Sequence, residues 1–150
     1  MGKGYYGMEG SRVRPVNAKY SFINDQVHLY ELLCECWSAD TCAPRMRSRW
    51  CRENATLGQC SITAFLTQDI FGGEVYGVKL PDGNYHCFNV VNGILFDLTS
   101  EQFGDKKLEY TLEYPQSREE HFSKSEKKER YESLKASLES LILTRGAAGE

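Results

Sequence analysis

Three residues of this chain have the types and the order needed for thiol chemistry. They are Cys60, preceded by Gly58-Gln59; His86, in Tyr85-His86; and Asp97, in Phe96-Asp97-Leu98-Thr99. A thiol becomes a strong nucleophile when a base takes its proton or its surroundings lower its pKa, and the positive end of a helix helps. A carboxylate beside the imidazole would fix its tautomer and favour its protonated form. With cysteine as nucleophile, histidine as base and aspartate as orienting acid, the set would attack an acyl carbon and form a thioester. Each residue also has an ordinary alternative: a small buried thiol at a helix start, a structural hairpin histidine, a strand-end or capping acid.

The elements that must position these groups follow from periodicity. Val27, Tyr30 and Leu33 recur at helical spacing after Asn24-Asp25, which predicts a helix over 24–36. Residues 37–58 lack a period and read as a long ordered loop with short turns. Ile62, Phe65, Leu66 and Ile70 then mark a short buried helix that starts beside Cys60 and stops at Gly72-Gly73. Three strands are expected over 74–80, 85–91 and 94–98, with Asn92-Gly93 as a two-residue hairpin turn. Thr99 and Gln102 could cap a brief helical turn, and a further strand is expected over 108–114, ending at Pro115. Tyr131, Leu134, Leu138 and Leu141 form the apolar stripe of an amphipathic helix over 124–143, expected to dock on the core.

The hairpin register bears on the chemistry. If Asn92-Gly93 is the loop, Val91 sits opposite Ile94 and Asp97 faces Phe88. Alternation along the strand then makes His86 and Asp97 diagonal neighbours on one face, about 7–8 Å apart at the backbone. A one-residue bulge would undo this. Asn89 and Cys87 alternate away from His86, and Cys87 reads as core. Nothing in the register brings Cys60 to His86.

With 150 residues and 41% hydrophobic content, one domain is expected over 21–145, after a flexible, glycine-rich N-terminus over 1–20. No apolar run spans a bilayer and no secretory signal is evident, so a cytoplasmic location without membrane association is expected. A net charge of −3 gives no general attraction to phosphate, and nucleic acid is not an expected partner. The basic Arg45-Met46-Arg47-Ser48-Arg49 run reads as a solvated loop. Of the six cysteines, Cys34, Cys36, Cys42 and Cys51 are separated by one, five and eight residues, unlike the paired spacing of common structural zinc sites. No metal or cofactor is expected, and structural zinc binding by those four is kept as a second alternative to the enzyme reading.

The Gly58-Gln59-Cys60 helix start, His86 on a strand and Asp97 on the next resemble the core of transglutaminase-like and papain-like thiol enzymes. That resemblance implies an α+β fold with N-terminal helices packed on an antiparallel β-meander, a C-terminal amphipathic helix, and a Cys60–His86–Asp97 triad. A longer resemblance covers residues 30–140. Trp37-Ser38 with Thr41, Gly58-Gln59-Cys60-Ser61-Ile62-Thr63-Ala64, Gly72-Gly73, His86 to Asn89 and Asp97 to Phe103 resemble the YunG family of small bacterial proteins. That family carries no activity to transfer, and neither calcium dependence nor crosslinking follows from the transglutaminase resemblance.

An acyl-transfer site also needs donors for the oxyanion. The backbone N–H of Cys60 is one candidate. Asn54, placed upstream as papain-like enzymes place a glutamine, and the Trp50 indole are others, and Gln59 could line the site. The expected function is cysteine-dependent amide or ester hydrolysis or transfer, on a peptide, protein or small acyl substrate. The alternative from another class is a non-catalytic module that binds a peptide or protein in the same cleft.

Overall fold

The structure, a computed structural model, describes residues 4–148. Its elements are α1 (Gln26–Cys36), α2 (Cys60–Phe71), β1 (Glu74–Lys79), β2 (Tyr85–Val91), β3 (Ile94–Phe96), α3 (Arg118–Phe122) and α4 (Ser125–Ala148), with short 3-10 turns between them. The fold is α+β, built on one three-stranded antiparallel sheet in the order β1-β2-β3. Helix α1 starts where the Asp25 side chain accepts from the His28 N–H, satisfying a first-turn donor that would otherwise lack a partner. Helix α2 is buried along most of its length, as befits an element packed against β1, β2 and α4. Tyr131, Leu134 and Leu138 of α4 are buried in the same apolar cluster as Leu29, Leu33, Phe65 and Leu66.

Two glycines turn the chain from α2 into the sheet. Gly72 has φ +79° and Gly73 φ +77°, and a Cβ on Gly73 would lie 2.4 Å from the Val90 carbonyl oxygen, so β1 can leave α2 hard against β2. Asn92 (φ 52°) and Gly93 (φ 78°) form the tight turn between β2 and β3, pairing Val91 with Ile94 and Asn89 with Phe96. This is the bulge-free register that the hairpin spacing predicts.

The structure departs from the sequence reading at both flanks of the sheet. Residues 4–20, expected to be flexible, wrap the domain instead. Tyr5, Val13 and Tyr20 are buried, the Val13 N–H donates to Gln26 Oε1, and the Val16 N–H donates to the Ile70 carbonyl. The glycines and tyrosines there hide an apolar residue at irregular intervals, which no periodicity test detects. Beyond β3, the Asp97 N–H donates to the Tyr6 carbonyl, so this N-terminal segment continues the sheet edge by a single bridge. The strand expected over 108–114 is irregular chain. Among the described residues its ladder contacts on β1 are the Gly77 N–H to Tyr114 O and the Gln116 N–H to Val75 O, flanking a Tyr76–Pro115 bridge in which the proline nitrogen faces away from β1 and costs the ladder no donor.

The expected loop over 37–58 is ordered by side chains. Trp37 is fully buried and its indole N–H donates to Thr63 Oγ1, while Arg47 donates to the carbonyls of Ala39, Asp40 and Cys42. Gly58 ends this segment with φ +71°, and its carbonyl accepts from the Ala43 N–H. A Cβ at Gly58 would lie 2.6 Å from Cys42 Sγ and 2.8 Å from the Ala43 nitrogen. Gly58→Ala is therefore expected to destabilise the fold by about 2 kcal/mol or more, from the left-handed conformation and the backbone clash together. Urea unfolding of the two proteins measures it, and a loss no larger than that of an exposed surface substitution would contradict the packing described here.

Candidate functional site

Cys60 is the first residue of α2, where first-turn N–H groups lack intrahelical acceptors and the helix dipole is positive. His86 is the second residue of β2, and Asp97 follows β3 directly. His86 Nε2 lies 2.6 Å from Asp97 Oδ2, and the two side chains are only 2% and 1% exposed. The diagonal contact expected from the register is thus present and closed off from water. Because a carboxylate only accepts, Nε2 carries the proton of this bond, and Nδ1 is left as the ring atom available to the thiol.

Asp97 is held from all sides. Its Oδ2 also accepts from the Tyr110 hydroxyl at 2.7 Å, and its Oδ1 accepts from the backbone N–H and hydroxyl of Thr99. Thr99 therefore serves the carboxylate rather than capping the 3-10 turn Ser100–Phe103 that follows, and Gln102 Nε2 donates to the Thr99 carbonyl. Phe103 meets the His86 ring edge to face, with centroids 4.7 Å apart. Ring orientation is thereby fixed by a carboxylate on one edge and an aromatic wall.

The Cys60 thiol interacts with two neighbours, the Cys87 side chain and the His86 imidazole. Hydrogen bonding with the Cys87 side chain is the strongest influence on it. Burial opposes, while the His86 ring and the Cys87 backbone N–H reinforce, and the result lies well below the ordinary thiol value. Cys87 is pushed well above that value by its bond to Cys60 and by burial. For His86, burial favours the neutral ring. The charge and hydrogen bond of Asp97, together with Cys60, outweigh it and raise the pKa from 6.5 to about 10. The groups therefore favour a thiolate–imidazolium pair at neutral pH.

Cys60 and His86 open on a cavity of about 800 Å³, walled by the Pro44–Arg49 turn, the starts of α2 and β2, Gln102 and Phe103, residues 113–117, and α3 with the first half of α4. Its size suits a small molecule or a peptide segment. Three residues considered for the oxyanion are absent from its walls. The Trp50 indole N–H donates to the Ala55 carbonyl, and the Gln59 amide is fully buried with its Nε2 on the Ser38 carbonyl. Asn54 sits in the Arg52–Asn54 turn and does not line the cavity. The Trp50 and Gln59 donors are thus spent on loop carbonyls.

Sequence reasoning missed Cys87, His121 and Lys127. Alternation places Cys87 in the core, where it is buried, and no spacing in the sequence brings it to Cys60. His121 and Lys127 lie in a charge-rich stretch without apolar periodicity. Among the described residues no three His, Cys, Asp or Glu side chains converge as a metal-holding group, so Cys34, Cys36, Cys42 and Cys51 do not form the zinc cluster considered as a second alternative. Cys36 and Cys42 are buried while Cys51 is exposed. None of the described helices is long and apolar enough to cross a membrane.

Since the folded His86 value lies above 6.5, the stabilisation it contributes is complete below pH of about 6.5 and is lost as pH rises through about 10. Asp97→Asn is expected to cost about 3 kcal/mol at acidic to neutral pH, as for one partner removed from a buried ion pair, and progressively less as pH approaches 10. Urea unfolding across that range measures the trend. NMR titration of the His86 ring should show its midpoint falling below 6.5 in the variant, and a midpoint left near 10 would contradict the assignment.

No solved structure matches this chain at a significant level. The family model described as YunG protein matches residues 25–142, well over half of the chain. The chain is also similar to the uncharacterized protein YunG of Bacillus subtilis (strain 168), with 38% identity over 95 residues, covering 63% of this chain and 76% of that protein. The matched region contains Cys60, His86, Cys87, Asp97, His121 and Lys127 alike, and on these grounds the chain belongs to the YunG family.

Proposed function

We propose that this protein is a thiol-dependent acyl-transfer enzyme, hydrolysing or transferring the acyl group of an amide or ester through Cys60. The observation that carries the proposal is the His86 ring, bonded through Nε2 to a buried carboxylate and in contact with the Cys60 thiol at the wall of an open cavity. In this scheme His86 Nδ1 takes the thiol proton and the sulfur attacks the carbonyl carbon. The tetrahedral oxyanion is met by first-turn N–H groups of α2, beginning with that of Cys60. On collapse the carbonyl C–N or C–O bond breaks, the imidazolium gives its proton to the leaving amine or alcohol, and a thioester remains. Water or an amine, losing its proton to His86, then attacks the thioester and releases Cys60.

The order of the three groups along helix start, strand and next strand supports a papain-like or transglutaminase-like core as the finer description. Asp97 in this scheme orients the ring and stabilises the imidazolium without taking part in proton transfer. Cys87 assists by stabilising the thiolate, a role the two-thiol contact supports.

The test is alkylation of Cys60 by iodoacetamide as a function of pH, read by peptide mass spectrometry, in the parent and in His86→Ala. The parent is expected to label rapidly well below the ordinary thiol pKa of about 8.5, and the variant to lose at least about tenfold in rate at neutral pH. Slow labelling with an ordinary pH profile in both proteins would refute the enzyme and leave a cleft that binds a peptide or protein without chemistry.

A further inference from the structure

The side of the cavity built from residues 113–130 carries Lys124, Lys127 and Arg130 alongside Glu113, Glu120 and Glu126, and its most organised element is a relay ending at Lys127. Lys127 Nζ lies 2.8 Å from His121 Nδ1, and His121 Nε2 lies 2.8 Å from Gln116 Oε1. An amide oxygen only accepts, so Nε2 holds the imidazole proton, and Nδ1 accepts from the ammonium. The relay is consistent from end to end only with His121 neutral. Burial and the adjacent Lys127 charge favour that form, lowering the His121 pKa from 6.5 to about 4.

One Lys127 donor is used in this way. No carboxylate of the described residues lies within ion-pair distance of its ammonium. Its strongest electrostatic neighbours are the Cys60 and Cys87 thiols and the like charges of Lys124 and Arg130. Glu126, the nearest acid on α4, is committed to Arg130, and Glu113 and Glu120 reach the cavity from exposed positions. A half-buried ammonium, aimed by a histidine, with like charges beside it and no carboxylate partner among the described residues, has the shared negative charge of the Cys60 site as its balance and room for a further anion.

We infer that Lys127, positioned by His121 and Gln116, is an anion-binding group that selects acyl substrates carrying a carboxylate close to the reacting carbonyl. The inference rests on Cys60 being the reacting group, and it names the class of substrate that site takes. A substrate carboxylate would bind the two remaining ammonium donors and fix the carbonyl over the sulfur.

Iodoacetate and iodoacetamide test this directly, because they alkylate the same sulfur and differ by a carboxylate in place of a carboxamide. The readout is the ratio of the two rates at Cys60, from peptide mass spectrometry, referred to the same ratio for free N-acetylcysteine. The parent is expected to favour iodoacetate, Lys127→Met to lower the ratio about tenfold, the scale of one partly screened charge contact, and Lys127→Arg to retain most of it. Lys127→Gln provides a second neutral variant, and circular dichroism identifies which of the two is folded. A ratio unchanged in the folded neutral variant overturns the inference. Slow labelling of Cys60 by both reagents, insensitive to His86, would count against the enzyme, while the Lys127 effect on the ratio would still be read.

Discussion

The buried contact between His86 and Asp97 is the constraint on which the rest of the structure depends. Removing a carboxylate from water is costly unless every oxygen finds a donor, and here the imidazole, the Tyr110 hydroxyl, and the backbone N–H and hydroxyl of Thr99 all converge on it. Those donors come from three stretches of chain: β2, the residues just after β3 at Thr99, and the irregular segment before Pro115. The pair therefore knits the sheet to its flanking loops. Asp97 continues the β3 register one residue past Phe96, which keeps its side chain on the His86 face while its N–H donates to the Tyr6 carbonyl.

The same pair organises the chemistry. A buried imidazole on its own would be neutral, and a buried thiol protonated. Asp97 reverses the first tendency, the imidazolium and Cys87 reverse the second, and the N-terminus of α2 contributes in the same direction. Helix α2 carries the sulfur to the sheet because it is buried on nearly all sides. It is anchored to β2 by the Asn89 amide donating to the Ala64 carbonyl and to α3 by Arg118 donating to the Phe65 carbonyl. Gly58 and Gly72-Gly73, at its two ends, allow the tight entry and exit that such a position demands.

What the sequence reveals is what local rules control. Helical spacing gives α1, α2 and α4, and Asn92-Gly93 gives the hairpin and its register, from which the His86–Asp97 contact follows by counting. The approach of Cys60 to His86 is a matter of how α2 lies on the sheet, which no spacing encodes. Tyr5 and Val13 are invisible as core residues because a wrapping segment has no period, and the 108–114 stretch has strand-like composition but meets β1 at its Tyr114 end through a single bridge at Pro115. Asn54, Trp50 and Gln59 illustrate the opposite error. Closeness to Cys60 along the chain says little when the Trp50 and Gln59 donors are spent on carbonyls of the loop itself. Lys127 comes from a helix with a mostly charged surface, where one inward lysine looks like any other until the fold is known.

The central claim is that folding converts an ordinary cysteine into a thiolate paired with His86. The most direct measurement is ultraviolet thiolate absorbance against pH, taken as the difference between the parent and Cys60→Ser. The account predicts an absorbance step of one thiolate per chain that persists well below pH of about 8.5. A step at about 8.5 or above would contradict it.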